Sequence, residues 1–270
     1  MDNRPRLFRF GPRRPFTSIP HLFESLPNER VIYFGDTART PYGSKAVSTI
    51  RQYSFQIADF LVSKDVKMLV IACNTISATC LEDLRQRIPN IPIRHNKSGG
   101  RKIASICGRE NRIGIIGTKA TVYSGVYKER IKSLNTELKV FDRATPAFVP
   151  LIEEGIVENE IMDLTIHYYM DSFIAENSID TLVLGCTHYP IIRSSIEKIY
   201  PKLRIVNPSY EIIGRIEKIL KAEDILAGGD NDRENVFYAS DLSENFSNMI
   251  QKILETEKSS LILKFKNLDL

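Results

Sequence analysis

Two segments of the chain resemble each other and constrain its fold more than any other feature. They are VKMLVIACNTISA, residues 66–78, and IDTLVLGCTHYPI, residues 179–191. In each, a run of aliphatic residues ends at a cysteine, Cys73 or Cys186, that small polar residues follow directly. With the two cysteines aligned, the match also extends upstream, pairing Phe60 with Phe173, Val66 with Ile179, Leu69 with Leu182 and Val70 with Val183. Such aliphatic runs are typical of buried parallel strands.

Polar residues just past a parallel strand lie at the carboxyl edge of its sheet, where open α/β folds bind ligands. Two such edges, each with a thiol, predict two related domains that face each other across one site. The chain has 270 residues, enough for two compact domains of roughly 100–150 residues each. We therefore expect two similar doubly wound parallel-sheet domains, related by a pseudo-twofold axis, with the site in the cleft between them.

The remaining pattern alternates strands with helices, which favours an α/β protein. Strands are predicted over 29–36, 138–142, 234–240 and 260–268, besides the two cysteine strands. Helices are predicted over 45–64, 77–88, 122–134, 158–176, 193–200 and 244–254. The segments 92–112 and 144–155 are predicted to be a domain crossover and a loop, respectively.

Composition limits the possible functions. The chain is 43% apolar and 26% charged, and its apolar runs fall far short of the ~20 residues that span a membrane. The basic N-terminus lacks a secretory apolar core, so we expect a cytoplasmic protein with no membrane association. A net charge of +4 without interleaved aromatics does not indicate a nucleic-acid partner. The cysteines lack CxxC or CxxH spacing, which argues against a metal site and a disulfide framework; they are Cys73, Cys80, Cys107 and Cys186.

The paired thiols allow three interpretations. Both could be small buried core residues, as free cysteines often are. One could be a covalent nucleophile, with His188 as its base. Two symmetric thiols could instead remove a proton from one face of a carbon acid and return one to the other face, which inverts the centre. The repetition with polar flanks favours the third interpretation. Cys80, at helical spacing from Ile76, is predicted to pack in the core.

Four longer motifs resemble the glutamate racemases of the aspartate/glutamate racemase superfamily. They are IYFGDTARTPYG, IACNTISA, FVPLIEEG and GCTHYP, in the order of that family. The resemblance implies two α/β domains around one site and a cofactor-independent, two-base interconversion of L- and D-glutamate. It also implies that the product supplies peptidoglycan synthesis.

The resemblance assigns roles residue by residue. Cys73 and Cys186 would be the two bases, Cys73 generally deprotonating D-glutamate, and His188 would assist Cys186. Glu153 and Asp36 would be lesser polar participants, although Glu153 could equally be a solvated loop charge and Asp36 a turn residue. The substrate would be held by Tyr42, Gly43, Asn74, Thr75, Thr187 and His188.

The expected first domain comprises 1–97 with 208–270 and contributes Cys73, and the second comprises 98–207 and contributes Cys186. The expected partner is the small-molecule substrate, and family members are often dimers, so a homodimer is possible. Two alternatives stay open: an aspartate racemase, and an inactive racemase-like protein that binds glutamate without turnover.

Two blocks depart from the family. Near the N-terminus the family carries FDSGxGG, whose aspartate helps the first cysteine and whose serine binds substrate. Here Phe8–Pro15 is FRFGPRRP, so Arg9 and Phe10 occupy those positions. The second block, near residues 94–98, is IRHNKSGG where the family has a segment like IGVIxPG.

A one-base shift in the reading frame would explain both departures. Allowable codons for Phe8–Pro15, with one base deleted, encode FDSGLGGL, and those for Ile93–Gly99 encode IGIIKAG. We therefore hypothesise that both blocks are short out-of-frame stretches. Resequencing the gene tests this, because codons that cannot be re-read by a one-base shift would exclude it.

Restoring the family residues at positions 9 and 10 should raise turnover. An arginine can favour a thiolate nearby, but it cannot accept or pass a proton as a carboxylate does. We expect greatly reduced turnover for the chain as written and near-normal turnover for the Arg9→Asp, Phe10→Ser variant, measured by loss of glutamate optical activity. Equal activity of the two proteins would contradict this expectation.

Overall fold

The structure, a computed structural model, describes residues 6–11, 19–95, 112–228, 234–242 and 261–268. Their strands are β1 (Arg6–Gly11), β2 (Val31–Gly35), β3 (Val66–Ile71), β4 (Ile93–His95), β5 (Arg112–Gly117), β6 (Lys139–Ala144), β7 (Thr181–Leu184), β8 (Arg204–Val206), β9 (Asn235–Ala239) and β10 (Leu261–Phe265).

The helices connect successive strands. The α-helices are α1 (Ile19–Ser25), α2 (Val47–Val62), α3 (Asn74–Thr79), α4 (Leu81–Arg87), α5 (Lys119–Tyr123), α6 (Val126–Lys132), α7 (Phe148–Glu153), α8 (Glu160–Asn177), α9 (Arg193–Ile199) and α10 (Ser209–Ala222). Short 3-10 helices cover Thr37–Arg39 and Tyr189–Ile192.

The strands form two parallel sheets with the same internal order. The first sheet has the order β10-β9-β2-β1-β3-β4, and the second has the order β6-β5-β7-β8. In each, the first strand lies between the second and the third, so the strand order reverses there. Ligands bind at such switch points. β3 and β7 are the third strands of their sheets, so the matched cysteine segments occupy equivalent places.

Both faces of each sheet are buried, which explains the continuous apolar runs. In β3, Met68 and Val70 pack against α1 and α10, and Leu69 and Ile71 pack against α2. In β7, the same alternation places Leu182 and Leu184 in one core and Val183 in another. We call the six-stranded sheet with its packed helices the first unit and the four-stranded sheet with its helices the second unit.

The predicted α/β class with two similar parallel-sheet units is confirmed, and most predicted elements are present within a few residues. The predicted loop at 144–155 is wrong in part, because α7 forms there. Pro150 is compatible with that helix because it lies in the first turn, where a helix needs no backbone N–H donor.

Two predicted helices are each interrupted once. The helix predicted over 77–88 is divided at Cys80, whose backbone leaves the helical region at φ −128° and ψ 7°. The helix predicted over 122–134 is divided between α5 and α6. Gly125, which precedes α6, adopts φ +67° at the junction. A positive φ is accessible to glycine at little cost, so this position suits a turn between short helices.

Several predictions concern residues outside the described ranges. These are the helix over 244–254, Cys107, most of the crossover at 92–112, and the ends of both departing blocks. Within the described residues, no helix is both long enough and apolar enough to cross a membrane.

Candidate active site

The carboxyl edges of the two sheets enclose a cavity of about 140 Å³. This is smaller than the ~300–1,000 Å³ typical of sites for drug-sized ligands, so the cavity suits a small metabolite. It is lined by all but one of the predicted site residues: Tyr42, Gly43, Cys73, Asn74, Thr75, Glu153, Cys186, Thr187 and His188. The two matched thiols therefore contact the same cavity from different units.

Cys73 lies at the start of α3, two residues after β3 ends. Its backbone is extended, at φ −72° and ψ 121°, and it is the N-cap of the helix. Burial raises the pKa of the Cys73 thiol to about 11, while the backbone N–H groups of Ile76 and Thr75 act in the opposite direction. A helix N-terminus therefore provides donors that would stabilise a thiolate here once the proton is removed.

Cys186 lies in the tight turn after β7. A Cβ added to Gly185 would lie 2.6 Å from the carbonyl oxygen of Ile116, so only glycine allows this close approach of β5. Burial raises the pKa of the Cys186 thiol to about 12, with the backbone N–H groups of His188 and Thr187 opposing that shift. Near neutral pH both groups are therefore thiols unless a partner removes the proton.

Cys186 has such a partner. His188 Nδ1 lies 3.7 Å from Cys186 Sγ, and His188 Nε2 lies 3.1 Å from Glu153 Oε1. The carboxylate accepts from Nε2–H, which leaves Nδ1 as the acceptor that faces the thiol. Glu153 and His188 are 9% and 3% exposed, so Glu153 is not a solvated loop charge. The three side chains form a buried proton path to one face of the cavity.

Asp36 is the one predicted site residue that does not line the cavity. Its carboxylate, which is fully buried, accepts from Arg39 Nε at 3.0 and 2.9 Å and from Ser240 Oγ at 2.8 Å. It also accepts from the hydroxyl of Tyr42, and burial and Asp36 raise the pKa of that phenol. Asp36 thus holds the hydroxyl of Tyr42 in place, and Tyr42 itself lines the cavity.

Residues of the second unit that sequence reasoning missed also line the cavity, including Thr118 and Lys119. Thr118 hydroxyl oxygen lies 3.0 Å from that of Thr75, and a Cβ on Gly43 would meet Thr118 Cβ at 2.4 Å. Thr118 directly follows β5, the first strand of its sheet. The repeat pattern could have identified it, because the departing positions 9 and 10 lie near the end of the equivalent first strand, β1.

The backbone of β1 places the departing N-terminal block at this same edge. Arg9 pairs with Tyr33 and Val70, and Phe10 pairs with Phe34 and Ile71. Position 10 is therefore level with the strand end that precedes Cys73. The substitution of these two positions falls where the family places its aspartate and serine.

Two thiols on opposite units of one small cavity, one with a histidine–carboxylate pair, suit acid–base chemistry on a small substrate. The chain matches the family model described as Asp/Glu/Hydantoin racemase over residues 21–210. It therefore belongs to that racemase family.

Individual relatives agree with this assignment. The chain is 41% identical to the glutamate racemase of Geobacter metallireducens over 231 residues, 85% of each chain. It is also 41% identical to the glutamate racemase of Neisseria gonorrhoeae over 238 residues, 88% of each. The crystal structure of Francisella tularensis glutamate racemase in complex with D-glutamate superposes with a TM-score of 0.89 at 34% identity, covering 100% of this chain and 99% of that one.

The raised thiol pKa values predict the pH dependence of alkylation. Iodoacetamide reacts with the thiolate, so labelling of Cys73 and Cys186 should keep rising to about pH 10, with no plateau near the ~8.5 of an ordinary thiol. Short labelling times followed by peptide mass spectrometry measure each cysteine separately. A plateau below about pH 9 at either cysteine would contradict the effect of burial described above.

Proposed function

We infer that this protein is a glutamate racemase that interconverts L- and D-glutamate and so supplies D-glutamate for peptidoglycan synthesis. The observation that carries this inference is the placement of Cys73 and Cys186 at equivalent strand ends on the two sides of one small cavity. The relatives named above, which share most of the chain, support glutamate as the substrate.

In the proposed reaction, the two cysteines act as base and acid on opposite faces of the α-carbon. With D-glutamate, the Cys73 thiolate takes the α-proton, so the Cα–H bond breaks and an S–H bond forms. The electron pair left on Cα then takes the proton of the Cys186 thiol from the other face, which leaves a Cys186 thiolate. The reverse reaction exchanges the roles, and no atom is gained or lost.

Formation of the thiolate is the demanding step, because burial disfavours charge on either sulfur. On one side, His188 can accept the Cys186 proton while Glu153 stabilises the resulting imidazolium. On the other side, the N–H groups at the start of α3 stabilise the Cys73 thiolate. The ammonium group of the substrate adds a positive charge near both sulfurs, which lowers both thiol pKa values further.

We propose that the polar cavity residues hold the charged groups of the substrate. Asn74, Thr75 and Thr187 provide donors for a carboxylate, together with the backbone of Tyr42 and Gly43. Placing these donors on both units would orient the α-carbon between the sulfurs, and such orientation is a large part of catalysis.

The second candidate function is glutamate binding without turnover. The observation in its favour is the backbone position of Arg9 and Phe10 at the edge that carries Cys73. Circular dichroism separates the candidates, because a racemase brings L-glutamate to zero signal, whereas a binder leaves the signal unchanged.

Replacing either thiol should greatly slow racemisation. We expect Cys73→Ala and Cys186→Ala each to reduce turnover by about 10²–10⁴-fold, the range typical of a lost general acid or base. Cys80→Ala is the matched control, since Cys80 is buried in the core and does not line the cavity. Deuterium incorporation at Cα in D₂O measures proton exchange directly. Undiminished turnover in either cavity variant would exclude the two-thiol mechanism.

We further propose that the protein works in the cytoplasm as a homodimer. The cytoplasm keeps thiols reduced, as the two-thiol mechanism requires. Three side chains form an apolar stripe on α8: Ile161, Leu164 and Tyr168, which are 54%, 60% and 79% exposed, respectively. A second copy of the chain could cover this surface. Sedimentation of the unaltered protein should give the mass of two chains, and sedimentation of Leu164→Glu should give the mass of one. A single-chain mass for the unaltered protein would contradict the dimer.

A further inference from the structure

Tyr127 links the second unit to a residue of the first that lines the cavity. It lies in the first turn of α6, and its ring packs in the core beneath the second sheet with Ile131 and Val183. Its hydroxyl donates to Asn74 Oδ1 at 2.8 Å, and Tyr127 and Asn74 are only 5% and 3% exposed. The bond is therefore a buried contact between the units.

The direction of this hydrogen bond follows from the protonation state of the phenol. Burial raises the pKa of Tyr127 well above its ordinary value, and any negative charge on Cys186 or Cys73 raises it further. The phenol therefore stays protonated while a thiolate forms nearby. A protonated phenol has a hydrogen to donate, and of the two ends of the Asn74 amide only the carbonyl oxygen can accept it.

The other end of the amide is left without a partner. Asn74 Nδ2 is buried and makes no hydrogen bond to the described residues, although Asn74 lines the cavity. In the flipped orientation, Asn74 Nδ2 could still donate to the phenol oxygen, but the phenol hydrogen would lose this acceptor and the carbonyl oxygen of Asn74 would be the atom left without a donor. Tyr127 thus selects the orientation of the Asn74 amide in which its N–H donors are the unsatisfied groups. N–H donors are the groups that hydrogen-bond to a carboxylate.

We propose that Tyr127 is a positioning residue that fixes the side-chain amide of Asn74 with its donors available for a substrate carboxylate. This role rests on the proposed function, because it concerns how the same cavity holds glutamate. Tyr127 acts through Asn74 and from the opposite unit. The donors are therefore oriented only while the two units are in contact, so substrate binding and closure of the cleft favour each other.

The test is the affinity for D-glutamate, measured by isothermal titration calorimetry, which does not require turnover. Tyr127→Phe keeps the ring and removes the hydroxyl, and it should weaken binding by about tenfold, the effect typical of one buried hydrogen bond. Asn74→Ala should weaken binding by at least as much. In the Asn74→Ala background, Tyr127→Phe should change the affinity less than about twofold, because the two residues act as one unit.

Tyr200→Phe is the matched control. It removes a phenol hydrogen bond to Asp171 in the same unit, and neither residue lines the cavity. Its affinity for D-glutamate should equal that of the unaltered protein. Thermal melts of all variants separate loss of fold from loss of orientation, since a merely structural Tyr127 would lower the melting temperature and leave the affinity of the folded protein unchanged.

The outcomes distinguish the two proposals. If the unaltered protein does not bind D-glutamate, the proposed function fails, and the role of Tyr127 fails with it. If the unaltered protein binds and Tyr127→Phe binds equally well, only the role of Tyr127 is overturned. Equal effects of Tyr127→Phe with and without Asn74 would likewise overturn it, because the residues would then act independently.

Discussion

The site depends on bringing two buried thiols to one small cavity from separate sheets. A parallel sheet places the ends of all its strands at one edge, and the reversal of strand order beside β1 and β5 leaves a crevice there. Cys73 and Cys186 follow the adjacent third strands, so each thiol lies at the crevice of its own sheet. Because the two edges face each other, both thiols line the same cavity. Cys80, which lies between α3 and α4, remains in the core.

Burial has opposite consequences for binding and for proton transfer. It removes water from the cavity, which strengthens each hydrogen bond to a charged substrate, but it also raises both thiol pKa values. The chain offsets this on the two sides by different means. Cys186 has a histidine–carboxylate pair from its own unit, whereas Cys73 has the donors at the start of α3. Arg9 is at the position in the first strand where the resemblance implies a carboxylate.

The sequence predicts the strands and the two thiols well, because both depend on local patterns. The aliphatic runs of β3 and β7 face cores on both sides, and polar residues directly after them can only lie at the sheet edge. Contacts that join distant residues were less accessible. No local sequence pattern shows that the Asp36 carboxylate accepts hydrogen bonds from Arg39, Tyr42 and Ser240. Nor does one show that Glu153 is hydrogen-bonded to His188.

The missed elements have similar causes. The predicted loop at 144–155 contains Pro150, but a proline in the first turn of α7 costs little. Thr118 belongs to a short Gly-Thr turn that does not by itself indicate a site, and its place in the cavity shows only through its contact with Thr75. Tyr127 looks like an ordinary core aromatic in the sequence, since its hydroxyl partner is in the other unit.

The unequal partners of the two thiols limit what kinetics can reveal about them. L- and D-glutamate are mirror images of equal free energy, so the equilibrium constant between them in water is one. The ratio kcat/KM must then be identical for the two directions, whatever groups surround each sulfur. A histidine–carboxylate pair on one side alone therefore changes kcat/KM by the same factor for both enantiomers, whereas kcat and KM taken separately can differ between them. The asymmetry of this site can therefore appear as different kcat and KM values for the two enantiomers at saturating substrate. It cannot appear at low substrate concentration, where the rate depends on kcat/KM alone.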